Sequence, residues 1–166
     1  MASDHRNGLP PSPAATLPPV DATDLAFAGA AEQARMLADG AITAPALLER
    51  YLERITRVDP ELRSYRVVLA DKARREAAAA QERLEAGERL PLLGVPVAIK
   101  DDVDVAGEFT CYGSNAYDLP ATADAEVVHR LRDAGAVILG KTAVPEMMLW
   151  PFTETVAFGA THNPWD

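Results

Sequence analysis

From Leu92 to Asp104 the chain reads LLGVPVAIKDDVD, an apolar run that stops on a lysine and turns acidic. Side chains alternate at period two along a strand, so Val95, Val97 and Ile99 share one face and Pro96, Ala98 and Lys100 the other. Both faces are apolar up to Lys100, which predicts a strand covered on both sides in an α/β sheet. Open α/β sheets place ligands and chemistry beyond the carboxyl ends of their strands. Lys100 stands there, and spacing alone leaves it open between a return to solvent and a chemical role.

Upstream the helical period dominates. Thr23 or Asp24 is placed to cap a helix with a weak apolar face of Leu25, Ala28, Met36 and Leu37, which Gly40 ends. A clearer helix follows, with Thr43 as cap and Pro45 in its first turn. Leu47, Leu48, Tyr51, Leu52 and Ile55 form its apolar stripe, Glu49, Arg50, Glu53, Arg54 and Arg57 face water, and Asp59-Pro60 closes it. Tyr65 to Leu69 is short and β-rich. Asp71 to Ala86 is a third helix, built on strong formers such as Ala77 to Ala80, and Gly87 ends it. Its mixed charges predict a solvated face.

Downstream, Asp101 to Gly113 has little periodicity and predicts a loop. Asp124 starts another helix with Val127, Val128, Leu131 and Ala134 buried and Gly135 as its stop. Ala136 to Leu139 is a second buried strand, and Gly140-Lys141-Thr142 leaves its end. Strand, crossover helix, strand is a parallel βαβ unit, whose right-handed crossover brings Lys100 and Lys141 to the same sheet edge. From Pro145 to Asp166 the aromatics Trp150, Phe152, Phe158 and Trp165 occur without period. Two parallel strands and some helices do not close a core, so the sheet reads as incomplete.

Composition narrows the class. A length of 166 residues with 48% hydrophobic content fits a globular domain. Met1 to Val20 is rich in Pro, Ala and Ser and reads as a flexible leader, so order is expected over residues 21–166. The net charge of -9 argues against direct nucleic-acid binding, though it leaves room for a role near RNA inside a larger complex. Cys111 is the single cysteine, so no internal disulfide forms and a reducing, cytoplasmic setting is expected. No apolar run reaches the roughly 18 residues of a membrane span, and the amino terminus lacks the pattern of a secretory signal.

Several motifs lose to their surroundings. GAVILGKT, from Gly135 to Thr142, fits the phosphate-loop pattern G-x-x-x-x-G-K-[ST] letter for letter. Its four middle residues are a buried strand rather than a loop, and its first glycine caps a helix, so nucleotide hydrolysis is rejected. Cys111 has no histidine paired with it by spacing, since His5 lies in the leader and neither His129 nor His162 is placed for it. The histidines carry no metal signature. Asp101 and Asp102 are expected to end the strand and neutralise Lys100. As a base, a lysine at its ordinary pKa of about 10.4 is poor at neutral pH. Burial lowers that value, and Val97, Ala98 and Ile99 are placed to desolvate Lys100 for proton transfer from a serine hydroxyl.

Four blocks stand in order: GVPVAIKDDVDVAG at 94–107, TCYGS at 110–114, DAEVVHRLRDAGAVILGKTAVPEM at 124–147 and GATHNPWD at 159–166. With the helix and strand APALLERYLERITRVDPELRSYRVV upstream, they resemble the amidase signature family from Asp21 to Asp166. The resemblance implies an α/β fold: amino-terminal helices, then the first βαβ part of an α/β/α sandwich with a mixed sheet, incomplete here. It implies hydrolysis of a small-molecule amide by a Ser–cis-Ser–Lys triad, through an acyl-serine intermediate and without a cofactor. The family's catalytic lysine ends the GVPxxxKD strand, which falls on Lys100, as base and later acid through a bridging serine. The GKT-x-x-PE segment falls on Gly140 to Glu146. Met147, Met148 and Trp150, just after it, fall where some members border the substrate.

The departure is at the carboxyl end. In the family, NPWD is soon followed by a Gly/Ser-rich block with the bridging serine, the nucleophile and the oxyanion-hole amides, whereas these residues end at Asp166. Ser114 belongs to a different family position. The expectation is therefore an amidase to which this chain supplies the lysine base only, inactive by itself. One alternative is a subunit of a glutamine-dependent amidotransferase that works on charged tRNA, which needs partner subunits. Another is a non-catalytic truncated or interaction fragment. Assembly as a homo-oligomer stays open.

Overall fold

The computed structural model describes residues 25 and 27–165, so the leader and the cap at Thr23 or Asp24 lie outside the described residues. Helix α1 (Ala30–Ala38) begins only after Gly29, whose backbone is extended (φ -66°, ψ 164°). The helix expected from Leu25 to Gly40 is thus interrupted at Ala28–Gly29, where glycine carries the lowest helix propensity after proline. The break is useful: the buried Gln33 donates from Nε2 to the Ala28 carbonyl at 2.8 Å and to the Tyr51 hydroxyl at 2.5 Å.

Helix α2 (Ala44–Leu62) starts as expected, with Thr43 Oγ1 accepting from the Ala46 amide at 3.3 Å. Leu47, Leu48 and Leu52 are its buried stripe. It does not close at Asp59-Pro60 but runs on to Leu62. Just beyond its end the Asp59 carboxylate accepts from the Ser64 amide at 2.8 Å and the Tyr65 amide at 3.3 Å. Arg63, left-handed at φ 52°, then turns the chain into strand β1 (Tyr65–Val68).

Helix α3 (Ala70–Glu85) buries Ala73, Ala77, Ala80 and Leu84, a small-residue face that lets it pack closely. Strand β2 (Pro96–Lys100), helix α4 (Glu126–Asp133) and strand β3 (Val137–Thr142) complete the main body. The charged face of α3 is not simply solvated. Glu76 accepts from the Ile138 amide of β3 at 2.9 Å and from Arg132 of α4 at 2.7 Å. Burial opposes the charge on Arg132, yet the bonds to Glu76 and Asp124 outweigh it and raise its pKa.

The sheet order is β1-β3-β2, with β2 parallel and β1 antiparallel to β3. The parallel pair matches the βαβ reading. The antiparallel β1 makes the sheet mixed. Three expectations need correction. Among the described strands β2 is an edge, so Pro96, Val97 and Ala98 are only half-buried. Gly140, Lys141 and Thr142 do not leave the strand but form its end, paired to β1 and β2. Val127 points outward, because α4 begins at Glu126 and turns Val128 to the core instead.

Successive residues of β3 serve opposite layers. Val137 and Leu139 join Leu37, Leu47, Leu48, Ala73 and Ala77 from α1 to α3. Ile138 joins Ile99, Val105 and Val128 on the α4 side. This is an α/β arrangement with helices on both faces. A small separate hairpin, β4 (Glu154–Thr155) and β5 (Gly159–Ala160), follows without joining the sheet. Among the described residues no helix is long and apolar enough to cross a membrane.

Candidate functional site

Two lysines mark the carboxyl edge of the parallel pair. In the β2–β3 register Lys100 stands opposite Thr142 and Ile99 opposite Lys141, so the lysines sit one step apart. Their environments are opposed. The Lys100 side chain is 54% exposed and its Nζ lies 3.0 Å from Asp102 Oδ2. An open pair of this kind contributes about 0–1 kcal/mol and leaves the ammonium free to move. The desolvation expected from Val97, Ala98 and Ile99 is therefore absent: Lys100 ends its strand and extends past them. Asp102 neutralises Lys100 as the sequence suggests, but Asp101 does not.

Asp101 turns inward. It is fully buried, with Oδ1 2.9 Å from Lys141 Nζ and Oδ2 2.5 Å from Arg66 Nε, both ionic contacts without aligned hydrogen-bond geometry. Among the described residues Lys141 is the largest side chain wholly shut off from solvent. Its ammonium also donates to the Phe109 carbonyl at 2.7 Å and to Thr110 Oγ1 at 2.8 Å. Arg66 donates to the same Phe109 carbonyl at 2.8 Å. Side chains from β1, from the residue after β2, from β3 and from the 101–113 loop thus meet in one closed cluster of two cations and one carboxylate.

The burial of Lys141 also disposes of the phosphate-loop reading, since the lysine of that motif must reach a phosphate and this one is spent inside the protein. Local pattern alone does not single out Lys141, Arg66 and Thr110 as a cluster. A signal was present: a lysine directly after the four buried strand residues Val137 to Gly140 must either end the strand or find partners within it.

Beyond Asp101 the edge is tied by backbone bonds. The Tyr112 amide donates to the Asp101 carbonyl at 3.2 Å, and the Met147 amide to the Tyr112 carbonyl at 2.8 Å. Tyr112, Met147 and Met148 are left-handed, at φ 50°, 51° and 54°. Such strain in non-glycine residues persists only where the surroundings over-determine it, as at binding sites. Tyr112 packs at a tilt, ring centres 5.1 Å apart, on Tyr117, whose hydroxyl meets Met147 Sδ at 3.8 Å. Desolvation, with Asp104 next in weight, pushes the Tyr112 hydroxyl above its ordinary pKa. Met147 and Trp150 are exposed, Met148 half-buried, and Trp150 stacks on Phe152. Met147 joins this edge directly, while Trp150 is tied to it only by belonging to the same segment.

Gly113 is where these two loops touch. At φ +72° a Cβ there would stand 2.8 Å from the Glu146 backbone. Gly113→Ala combines left-handed strain with a backbone clash and is expected to cost about 2–4 kcal/mol. A shift of less than about 0.5 kcal/mol in urea denaturation, the size of an ordinary surface change, would show that the loops are not held together here.

Cys111 is buried, and His129 lies exposed against Asp133, so no thiol–histidine pair exists between them. Among the described residues no group of acidic, histidine or cysteine side chains is placed to hold a metal ion. A cleft of about 500 Å³ lies elsewhere, between Ile55, Asp59, Arg63 and Phe158, and Lys100 does not line it.

Comparison with known proteins agrees with this architecture. The family described as Amidase matches residues 46–166. The Mycobacterium tuberculosis protein named "Putative amidase AmiB2" is 73% identical over 146 residues, 88% of this chain and 32% of that protein. The A component of the glutamyl-tRNA(Gln) amidotransferase of Acidothermus cellulolyticus is 44% identical over 87% of this chain and 29% of its own length. The native peptide amidase of Stenotrophomonas maltophilia superimposes with a TM-score of 0.77 at 34% identity, over 85% of this chain and 31% of that one. The chain spans about a third of the length of the relatives it matches. With the profile match covering well over half of its residues, the chain belongs to the amidase signature family.

Proposed function

We propose that this chain supplies the lysine base of a cofactor-independent amidase that hydrolyses a carboxamide through an acyl-serine intermediate. The observation that carries the reading is the contrast between the two edge lysines. Lys141 has no exposed surface and its ammonium is engaged by Asp101, Phe109 and Thr110. Lys100 is open, weakly paired, and placed at the carboxyl end of β2, where α/β folds keep their chemistry. It also occupies the lysine position of the GVPxxxKD strand.

In this reading the Lys100 amine accepts the proton of the nucleophilic serine through a bridging serine, as that serine attacks the amide carbon. The proton then passes back to the leaving amine as the C–N bond breaks, and water cleaves the resulting ester. A lysine does this only as the free amine. The open flank of Lys100 is the side from which serine partners and desolvating groups would approach. Those serines and the oxyanion donors are not among these 166 residues, which end on NPWD. Acyl transfer needs base, nucleophile and oxyanion donors together.

The purified 166-residue chain is therefore expected to show no turnover of a simple aryl amide. Turnover above background that Lys100→Ala abolishes would overturn the lysine-only role. A second reading is an ammonia-releasing component of a tRNA-dependent amidotransferase, supported by the 44% identity to such a protein. Glutamine hydrolysis dependent on a second, co-purifying polypeptide, with no turnover of free carboxamides, would select it.

A further inference from the structure

We propose that Lys141 is a positioning residue for the amidase reaction. It never touches substrate, but it fixes together the backbone that carries Lys100 and the Tyr112–Met147 contact beside it. The inference rests on the reading of Lys100 as base.

Proton transfer through Lys100 makes no use of Lys141, yet burying an ammonium is expensive unless every proton has a partner. Here each does. Asp101 Oδ1, Phe109 O and Thr110 Oγ1 stand 2.9, 2.7 and 2.8 Å from Nζ. Those three partners all belong to the segment that leaves β2 directly after Lys100. Asp101 is its first residue, and its amide donates to the Thr142 carbonyl at 3.1 Å while its carbonyl accepts from Tyr112. One side chain thus gathers both ends of the 101–110 excursion and presses it against β3. Tyr112 passes the constraint on, because its carbonyl holds the Met147 amide at 2.8 Å. A continuous set of contacts runs from Lys141 through Asp101 and Tyr112 to Met147, and Lys100 is covalently attached to its second member.

Arg66 does not duplicate this role. It reaches Asp101 and the Phe109 carbonyl from β1, whereas the bond to Thr110 comes from Lys141. Removing the Lys141 charge leaves Asp101 and Arg66 paired one to one, so Lys141→Met is the variant that loosens the loop without stranding a buried charge.

Two measurements test the proposal. In the 166-residue chain, amide hydrogen exchange of Lys141→Met is expected to be about tenfold faster or more at Tyr112 and Met147, with Leu48 and Leu52 in α2 unchanged. Uniform acceleration, or none at Tyr112 and Met147, would overturn it, since a purely structural lysine changes all amides together. If Lys141→Met does not fold, Thr110→Val removes a single acceptor and is expected to give the same local pattern, smaller in size. In the full-length protein that carries this segment, Lys141→Met is expected to lower kcat by about 10- to 100-fold at a temperature where it remains folded, the scale of a misplacement near 1 Å. A lowered Tm with kcat essentially unchanged would overturn it. Lys100→Ala serves as the control: if activity survives that change, the assignment of the base fails, while the exchange pattern still judges the coupling.

Discussion

Lys100→Ala in the full-length protein is expected to lower amide hydrolysis by about 10²–10⁴-fold, the usual range for loss of a general acid–base group. The effect should fall on kcat and on kcat/KM alike, because the proton moves only in the transition state. The fold should not suffer. Lys100 is half-exposed and loses only its open pair with Asp102, so the urea midpoint is expected to move by less than an equivalent of about 1 kcal/mol. That separation is the useful part of the experiment. A rate lost together with folding would say nothing of a base, whereas a stable protein with a full rate would place the base elsewhere. Lys100→Arg is expected to be as inactive as the alanine variant, since a guanidinium does not give up its proton near neutrality.

The largest effect on stability is expected at the neighbouring position. Asp101→Ala removes the single carboxylate between Lys141 and Arg66 and leaves two cations facing each other inside the protein. Breaking a buried pair from one side costs about 3–5 kcal/mol. That is a large share of the roughly 5–15 kcal/mol that holds a domain together. The partner substitution tells why. Lys141→Met leaves the Asp101–Arg66 pair intact, so it is expected to cost less, and the double variant Asp101→Ala/Lys141→Met less than Asp101→Ala alone. Such non-additivity is the signature of charges in contact. Urea denaturation of the four proteins checks it, and a cost below about 1 kcal/mol for Asp101→Ala would mean that water or a rearranged loop already serves the two cations. In the proposed reading adjacent residues divide the labour at this edge, Lys100 for chemistry and Asp101 for cohesion.

Much of the framework is legible in the chain. The stripe of Leu47, Leu48 and Leu52, the Thr43 cap and the existence of α3 follow from helical period, propensity and capping chemistry, and the structure places them as read. The parallel pairing of β2 and β3 follows from the helix between them. The failures share one cause. Local rules assume that a charge faces water and that a proline ends a helix, and tertiary contacts override both. Pro60 stays inside α2, two residues before its end, and the Asp59 carboxylate takes the Ser64 amide just beyond it. Glu76 leaves the solvated face of α3 because Arg132 and the Ile138 amide lie across from it. Val127 and Val128 both fit an apolar stripe, and only the packing of α4 on Ile138 and Ile99 decides between them.

For this protein the sequence alone determines the family, the order of its elements as far as β3 and the place of Lys100 at the carboxyl end of a strand, because these depend on local pattern and on the order of its blocks. Which of the two edge lysines is open was decided only by the tertiary structure. Lys100 and Lys141 both follow apolar runs and both precede polar residues, so local pattern alone does not say which of them is buried. The difference arises from groups distant in the chain. Arg66 of β1 and the Phe109–Thr110 turn converge on Asp101 and shut Lys141 away. Lys100, one register step farther along the edge, pairs with Asp102 and stays open.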